Sequence, residues 1–419
     1  MYQPITASTS RRKRYRARFI VALTSVALLA AACGNDDKST DSSAAATTTA
    51  APTETTADTL AVADGETIVI GVLGSYSGPF GLYGQPMELA LRARLEEAGM
   101  VAGNHPIELV FEDDATDPAT AVTKAIKLVE ENGADIIMCC VNGAATLAVG
   151  PILSDMGIPQ IGPIPNPAGL QKYERAFLAA PTAGYDAGRL GTYVAEEMGH
   201  TTAAVLASDF SYGREIAGAF IKSFTAAGGK VVYEQYAPLG TQDFGSLLAG
   251  VPEADVVFGG FGGADGIAFV KQYEQFGLKK RSKLVAHGPL VTELLLQQEG
   301  PAAVGITAGF YYSSQIDNEE NTRFKAALAK ANPKLPPSHF TAGAWATGSV
   351  ILAAIEAAGD DATNGAALAA AIAATEIDVP WGTLKFDPEK RIAFGTTYIY
   401  TVIADGDILK HKILTATSP

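Results

Sequence analysis

Cysteine is nearly absent from this 419-residue chain: Cys139 and Cys140 are adjacent, and Cys33 lies near the N-terminus. Three cysteines so placed imply no disulfide framework. The adjacent pair reads as two small apolar residues of a buried strand, with a vicinal disulfide as the lesser alternative. Basic residues are also scarce, with 31 Lys and Arg against 45 Asp and Glu, a formal net charge of −14. Nucleic-acid binding needs clustered cations, so this balance argues against it. The five histidines, His105, His200, His287, His339 and His411, show no metal-ligand spacing. The acids Glu112, Asp113, Asp114 and Asp117 read as a solvated loop with a helix cap rather than a metal site. G-x-S-x-G, Walker A and H-E-x-x-H motifs are missing, which removes the common hydrolase, NTPase and zinc-protease chemistries. No enzyme activity, cofactor or metal is therefore expected.

The N-terminus carries the first positive signal. Arg11, Arg12, Lys13, Arg14, Arg16 and Arg18 precede an apolar core from Phe19 to Ala32. That core is shorter than the roughly 20 residues of a membrane span. A basic head, a short apolar core and the small residues Ala30, Ala31 and Ala32 describe a secretory signal over residues 1–32. The segment LLAAAC resembles the lipobox of bacterial lipoproteins, although Leu29 stands four residues before Cys33 rather than three. That resemblance implies lipidation at Cys33 and an extracytoplasmic, membrane-tethered location. Beyond it, GNDDKSTDSSAAATTTAAPTETTADT has too little apolar surface to offset its ordering entropy, so residues 33–65 are expected to be a disordered tether. Without the leader the balance is 25 cations to 45 acids, or −20.

From Thr67 onward short β-branched runs alternate with amphipathic helical runs. IVIGVLG, ELVFEDD, DIIMCCV and PQIGP read as strands of one sheet, with helices over about Gln85–Ala98 and over ATAVTKAIKLVEEN and GAATLAVGPILSDM. AAVLASD, KVVYEQY, DVVFGGF and KLVAHG repeat the pattern. A helix near Val291–Gln298, an alanine-rich helical region His339–Ala358 and a β-rich tail with an Asp405-Gly406 hairpin turn follow. Alternating β and α segments predict an α/β fold of two Rossmann-like, doubly wound lobes.

The stretch GSYSGPFGLYGQPMELALRARLEEAG after the first strand resembles the opening of type I periplasmic binding proteins, within them the leucine/isoleucine/valine-binding group. FEDDATDPATAV, IIMCCVNGAATLAVGPILSDMGIPQIGP, DFSYGREIAGAF, GTQDFGSLL, VVFGGFGGADGIAFVKQYEQFGL and WGTLKFD follow in the order of that family. The likeness runs from Ile68 to Leu414. It implies a monomeric bilobed receptor, with lobes joined by three crossovers near Ala180, His287 and Lys385. Residues 66–180 and 290–386 would form lobe 1, and 181–289 and 387–417 lobe 2. It also implies that the lobes close on a small amino-acid-like solute and deliver it to ABC permease subunits. A sensing receptor for amides, urea-like solutes or aromatic acids is the alternative; the lack of an output segment after Pro419 favours transport.

Ligands of open α/β sheets sit outside the carboxyl ends of the strands, which directs attention to four loops. In Ser75–Tyr83, Ser77 opens a turn and Tyr83 offers a ring or hydroxyl, or simply packs. In Val141–Ala145, the serine that grips a carboxylate in amino-acid binders falls on Gly143, between Asn142 and Ala144; the companion threonine falls on Asn166. Backbone N–H groups of Gly143 and Ala144 are left to cap an anion. Thr182–Asp186 and Ser208–Tyr212 form the cleft edge of the second lobe, where Tyr185 and Tyr212 are placed to stack on or cover a ligand, with plain packing as the alternative for each. The run GGFGGADG does not match G-x-G-x-x-G, because its last position is Asp265. Asp265 instead corresponds to the acid that holds a ligand ammonium, with a helix cap as the plain alternative. Ile164 and Phe261, beside these loops, complete the candidate set.

Overall fold

The computed structural model describes residues 63–417. The leader, Cys33 and nearly all of the expected tether lie outside them. The first sheet is built from β1 (Ile68–Gly74), β2 (Val101–Ala102), β3 (His105–Asp113), β4 (Ile136–Cys139), β5 (Gln160–Gly162) and β6 (Ala176–Leu178), in the order β2-β3-β1-β4-β5-β6. Apart from the short antiparallel β2 its strands are parallel, with Ile70 beside Leu109 and Ile136. Helices α1 (Gly81–Glu97), α2 (Pro118–Glu130) and α3 (Gly143–Met156) connect them. Continuous apolar strands are what such a sheet requires when both faces are covered. Asp117 caps α2 by accepting the Thr120 N–H at 2.8 Å, as its place before a helical run suggests.

The second sheet follows α4 (Ala183–Glu196). Its strands are β7 (Thr202–Ser208), β8 (Lys230–Ala237), β9 (Val256–Gly260), β10 (Lys283–His287) and β11 (Thr307–Phe310), linked through α5 (Ser211–Ala226), α6 (Gly245–Ala249), α7 (Gly263–Gln275) and α8 (Glu293–Glu299). The chain then adds α9 (Glu319–Ala331), α10 (His339–Ala358) and α11 (Gly365–Ala374). A two-stranded ribbon follows, β12 (Glu376–Val379) with β13 (Gly382–Lys385), and then β14 (Thr397–Asp405) and β15 (Ile408–Thr417). β14 and β15 return antiparallel to the second sheet, ordered β15-β14-β11-β10-β9-β7-β8.

Three features depart from the sequence reading. The return to the first lobe comes after Phe310, not near residue 290, because Val285, Ala286 and His287 pair with Thr307, Ala308 and Gly309. The four-residue TAGF strand is too short to show a period of its own. Residues before Thr397 also stay with the first sheet for longer: the Leu178 N–H donates to the Arg391 carbonyl and the Ala393 N–H to that of Leu178. Finally, Cys139 and Cys140 are buried as expected, but their sulfurs are bonded to each other.

α10 is the axle of the first lobe. Ser338 and Thr341 form a capping box at its start, and it lies against α1, where Arg94 Nε donates to Ser349 Oγ at 2.8 Å. Its apolar composition would suit a membrane span, but most of it is buried among the other elements, so it is a core helix.

Candidate functional site

The carboxyl ends of the parallel strands in both sheets face one cleft, and the walls of its cavity come from there. β4 ends into Val141, β5 leads to Ile164, β7 ends at Ser208, β9 runs into Gly260, Phe261 and Gly262, and β10 ends at His287 beside Pro289. Helix starts supply the rest: Phe80 and Tyr83 at α1, Phe210, Tyr212 and Ile216 at α5, and Phe340 at α10. The cavity among these side chains has a volume of about 40 Å³. No Lys, Arg, Asp or Glu is among them.

The aromatic rings hold one another in place. Tyr83 stacks on Phe340 with centroids 3.7 Å apart, and Phe210 lies 6.0 Å from Phe80 across the cleft. The Tyr83 hydroxyl accepts the Gly263 N–H at 2.6 Å, which ties α1 of the first lobe to α7 of the second. Burial drives the Tyr83 hydroxyl pKa up, so it stays a neutral phenol. A second tie runs through Glu215 of α5, which accepts N–H groups of Ala168 in the first lobe and Gly184 at the start of α4, each at 3.1 Å. Its carboxyl is pushed up by burial, against the lowering effect of those two donors.

His287 is the most unusual group in the wall. Its Nδ1 lies 3.0 Å from the Tyr212 hydroxyl, its ring meets Phe310 edge-on, and its Nε2 is buried with no hydrogen-bond partner. Burial lowers its pKa to about 3, so the ring is neutral at any ordinary pH.

Of the residues singled out in the sequence, Tyr83, Ile164, Tyr212 and Phe261 line the cavity. Tyr83 does so from the first turn of α1, which begins at Gly81 instead of near Gln85. The others engage protein partners. Ser77 is exposed and its hydroxyl donates to Asp113 at 2.7 Å. Asn142 caps α3 by accepting the Ala144 N–H at 2.9 Å, while its amide donates to the Thr116 carbonyl. A Cβ at Gly143 would fall 2.6 Å from Pro167 Cδ, so that corner is already filled by protein and suits only glycine. Asn166 accepts from Thr146 Oγ1 at 2.7 Å and donates to the Ile164 carbonyl at 2.9 Å. Tyr185 lies against Phe394 and donates its hydroxyl to the Gly395 carbonyl. Asp265 accepts the Gly240 N–H at 2.7 Å and lies 3.4 Å from the Gln242 amide nitrogen. It sits in the first turn of α7, whose cap position is Gly262, and burial raises its carboxyl to about 6.

Sequence reasoning placed the Ser208–Tyr212 loop at the cleft edge but singled out neither Ser208 nor Phe210 within it, and it missed His287 and Phe340. The available signal was positional, since His287 and Ser208 end parallel strands, where ligands of such sheets sit.

A bilobed α/β molecule with an aromatic cleft between its sheets matches one family model, that of a periplasmic binding protein, over residues 67–407. The chain belongs to the periplasmic binding protein family. Within it, the chain falls in the leucine/isoleucine/valine-binding group. A Leu/Ile/Val-binding protein homolog 6 from Brucella suis biovar 1 is 30% identical over 365 residues, 83% of this chain and 90% of the relative. The leucine-, isoleucine-, valine-, threonine- and alanine-binding protein of Pseudomonas aeruginosa is 27% identical, covering 77% and 86% of the two chains. A solved solute-binding protein of an ABC transporter from R. palustris, in complex with benzoate, superposes with a TM-score of 0.78 at 26% identity; the match covers 84% of this chain and 97% of that one. Members of this family are extracytoplasmic, non-enzymatic receptors that bind small solutes and work with ABC permease components. This chain is one of them.

Proposed function

We propose that this receptor captures a compact aromatic or branched apolar solute, not a free amino acid, and delivers it to its permease. One observation carries the reading: the cleft wall is mostly aromatic and aliphatic, with Ser208, His287 and tyrosine hydroxyls as its polar side chains and no charged group. A zwitterion needs a partner at each end, because an unpaired buried charge is strongly unfavourable. The groups that correspond to those partners, Asn166 and Asp265, are engaged with Thr146 and with the Gly240 loop. A structural neighbour solved with benzoate supports an aromatic body, whereas the relative named for leucine and its analogues favours the amino acid. Thermal unfolding with each solute class decides between them. A small aromatic compound at 100 times its dissociation constant should stabilise the protein by about 2.7 kcal/mol, and leucine should leave the midpoint unmoved. A shift with leucine alone would overturn the reading.

The receptor is held at the membrane by an acylated Cys33 after cleavage behind Ala32, a reading supported by the basic head and the LLAAAC segment. Cys33→Ser should move the protein from the membrane fraction to the soluble one. Unchanged membrane association in that variant would remove the anchor.

A further inference from the structure

We infer that Ser208 is the specificity-determining contact of the cleft. Its hydroxyl takes the polar group of the solute, which therefore lies with that group on the second lobe and its apolar body on the first. The inference rests on the apolar-solute reading above and names the side chain that orients such a solute.

The wall holds four polar side chains, Tyr83, Ser208, Tyr212 and His287. Three of them already have their place in the protein. The Tyr83 hydroxyl accepts the Gly263 N–H, the Tyr212 hydroxyl pairs with His287 Nδ1, and His287 Nε2 is enclosed by protein. Ser208 differs. Its hydroxyl has no hydrogen-bond partner among the described residues, and it is not sealed off as the hydroxyls of Ser75, Ser211 and Thr292 are. Ser208 is 2% exposed, so what remains open faces the cavity that it lines. A buried polar group without a partner is the exception in folded proteins and calls for one.

The hydroxyl is also presented from a fixed place. Ser208 ends β7, whose Ala207 lies beside Gly260 at the end of β9, and ligands of such sheets sit outside those ends. Its carbonyl accepts the Phe210 N–H at 3.0 Å, and Gly213 packs so closely that a Cβ there would fall 2.1 Å from the same oxygen. The backbone is thus held, and the side chain alone is left to turn toward a solute. A serine hydroxyl offers one donor and two acceptor sites, which match an alcohol, a carbonyl or an amide group. From the first lobe, Phe80, Tyr83, Val141, Ile164 and Phe340 face it across the cavity. The Tyr83 hydroxyl is turned to Gly263, so that wall offers rings and aliphatic groups. A polar contact on one lobe and an apolar wall on the other set the direction in which the solute lies.

Calorimetric titration of the purified full chain with two matched pairs and with leucine tests this. Phenol and toluene differ by a hydroxyl in place of a methyl group, and so do isoamyl alcohol and isohexane. Ser208→Ala should weaken the binding of the alcohol in either pair roughly fivefold and leave its hydrocarbon counterpart nearly unchanged. Ser208→Thr, which keeps the hydroxyl, should retain most of the parental alcohol-to-hydrocarbon ratio. Ser208→Ala breaks no bond within the protein, so its urea midpoint should stay at or above that of the parent; a lower one would mean that the hydroxyl serves the fold. An unchanged ratio in Ser208→Ala overturns the inference, passes the polar contact to another group such as the Tyr83 hydroxyl, and leaves the apolar-solute reading standing. Equal losses for alcohol and hydrocarbon overturn it too, because Ser208 would then only shape the wall. Binding of leucine alone, or of no probe, overturns the underlying reading instead.

Discussion

Asp186, in the first turn of α4, is fully buried; one oxygen accepts the Thr397 hydroxyl at 2.5 Å and the other has no partner. Burial lifts its carboxyl to about 7, outweighing that hydrogen bond, while in the unfolded chain it titrates near 3.9. Below about pH 4 both states hold the proton. Between about 4 and 7 the unfolded state releases it and the folded state does not, so this residue makes stability fall as pH rises through that window. The loss is on the order of 4 kcal/mol. Asp186→Asn keeps an acceptor for Thr397 and cannot ionise, so it should gain stability relative to the parent between pH 4.5 and 7.5. Urea midpoints at the two pH values measure this, and parallel shifts in both proteins would contradict it. Asn142, Asn166 and Asp265 show why single residues were hard to read. Amide and carboxylate side chains serve a ligand or a loop equally well, and only their partners, as far apart as Asn166 and Thr146 or Asp265 and Gly240, decide which.

At the scale of elements, strong periodicity and explicit stops made the sequence legible. α10 runs from His339 to Ala358 as its alanine-rich pattern indicates, and β7 is the AAVLASD segment displaced one residue toward the N-terminus. β11 was illegible because four residues carry no period, and with it went the second crossover. α1 began four residues early because Gly81 looks like a loop residue and Pro86 suits a helix's first turn, whereas the helix starts at Gly81 and carries Pro86 in its second turn. Close packing between elements is likewise invisible in the sequence. A Cβ on Gly343 of α10 would lie 2.0 Å from the Pro163 carbonyl oxygen and 3.3 Å from Ile164, a cavity residue. Gly343→Ala must push α10 away from that loop, costing about 1–3 kcal/mol by overpacking and weakening solute binding through the displaced Ile164 wall. Denaturant unfolding and titration of the same variant check both effects. Loss of stability without loss of affinity would separate α10 from the cleft.

At the scale of the whole molecule, hydrogen bonds cross from one lobe to the other. Glu215 is one: its carboxylate reaches Ala168 from the opposite lobe. Removing it leaves the strand ends and ring walls intact but takes away one tie between the lobes that flank the cavity. Glu215→Ala should speed solute dissociation roughly fivefold, from about 1 kcal/mol of lost hydrogen bonding, with association little changed. Stopped-flow kinetics resolve the two rates. A parental dissociation rate in the variant would show that Glu215 is not a latch.

The interleaving of the two lobes also bears on how the protein is made. Arg94 of α1 meets Ser349 of α10, 255 positions further along, and β1 belongs to the lobe that α10 completes. A ribosome delivers the N-terminal half first, and that half lacks the helix its apolar surface must cover. Contacts of such long range form late, because the intervening chain must first be closed into a loop. The half-made protein is therefore held back from settling until its last quarter arrives. That delay keeps the half-made chain pliant until α10 has been made.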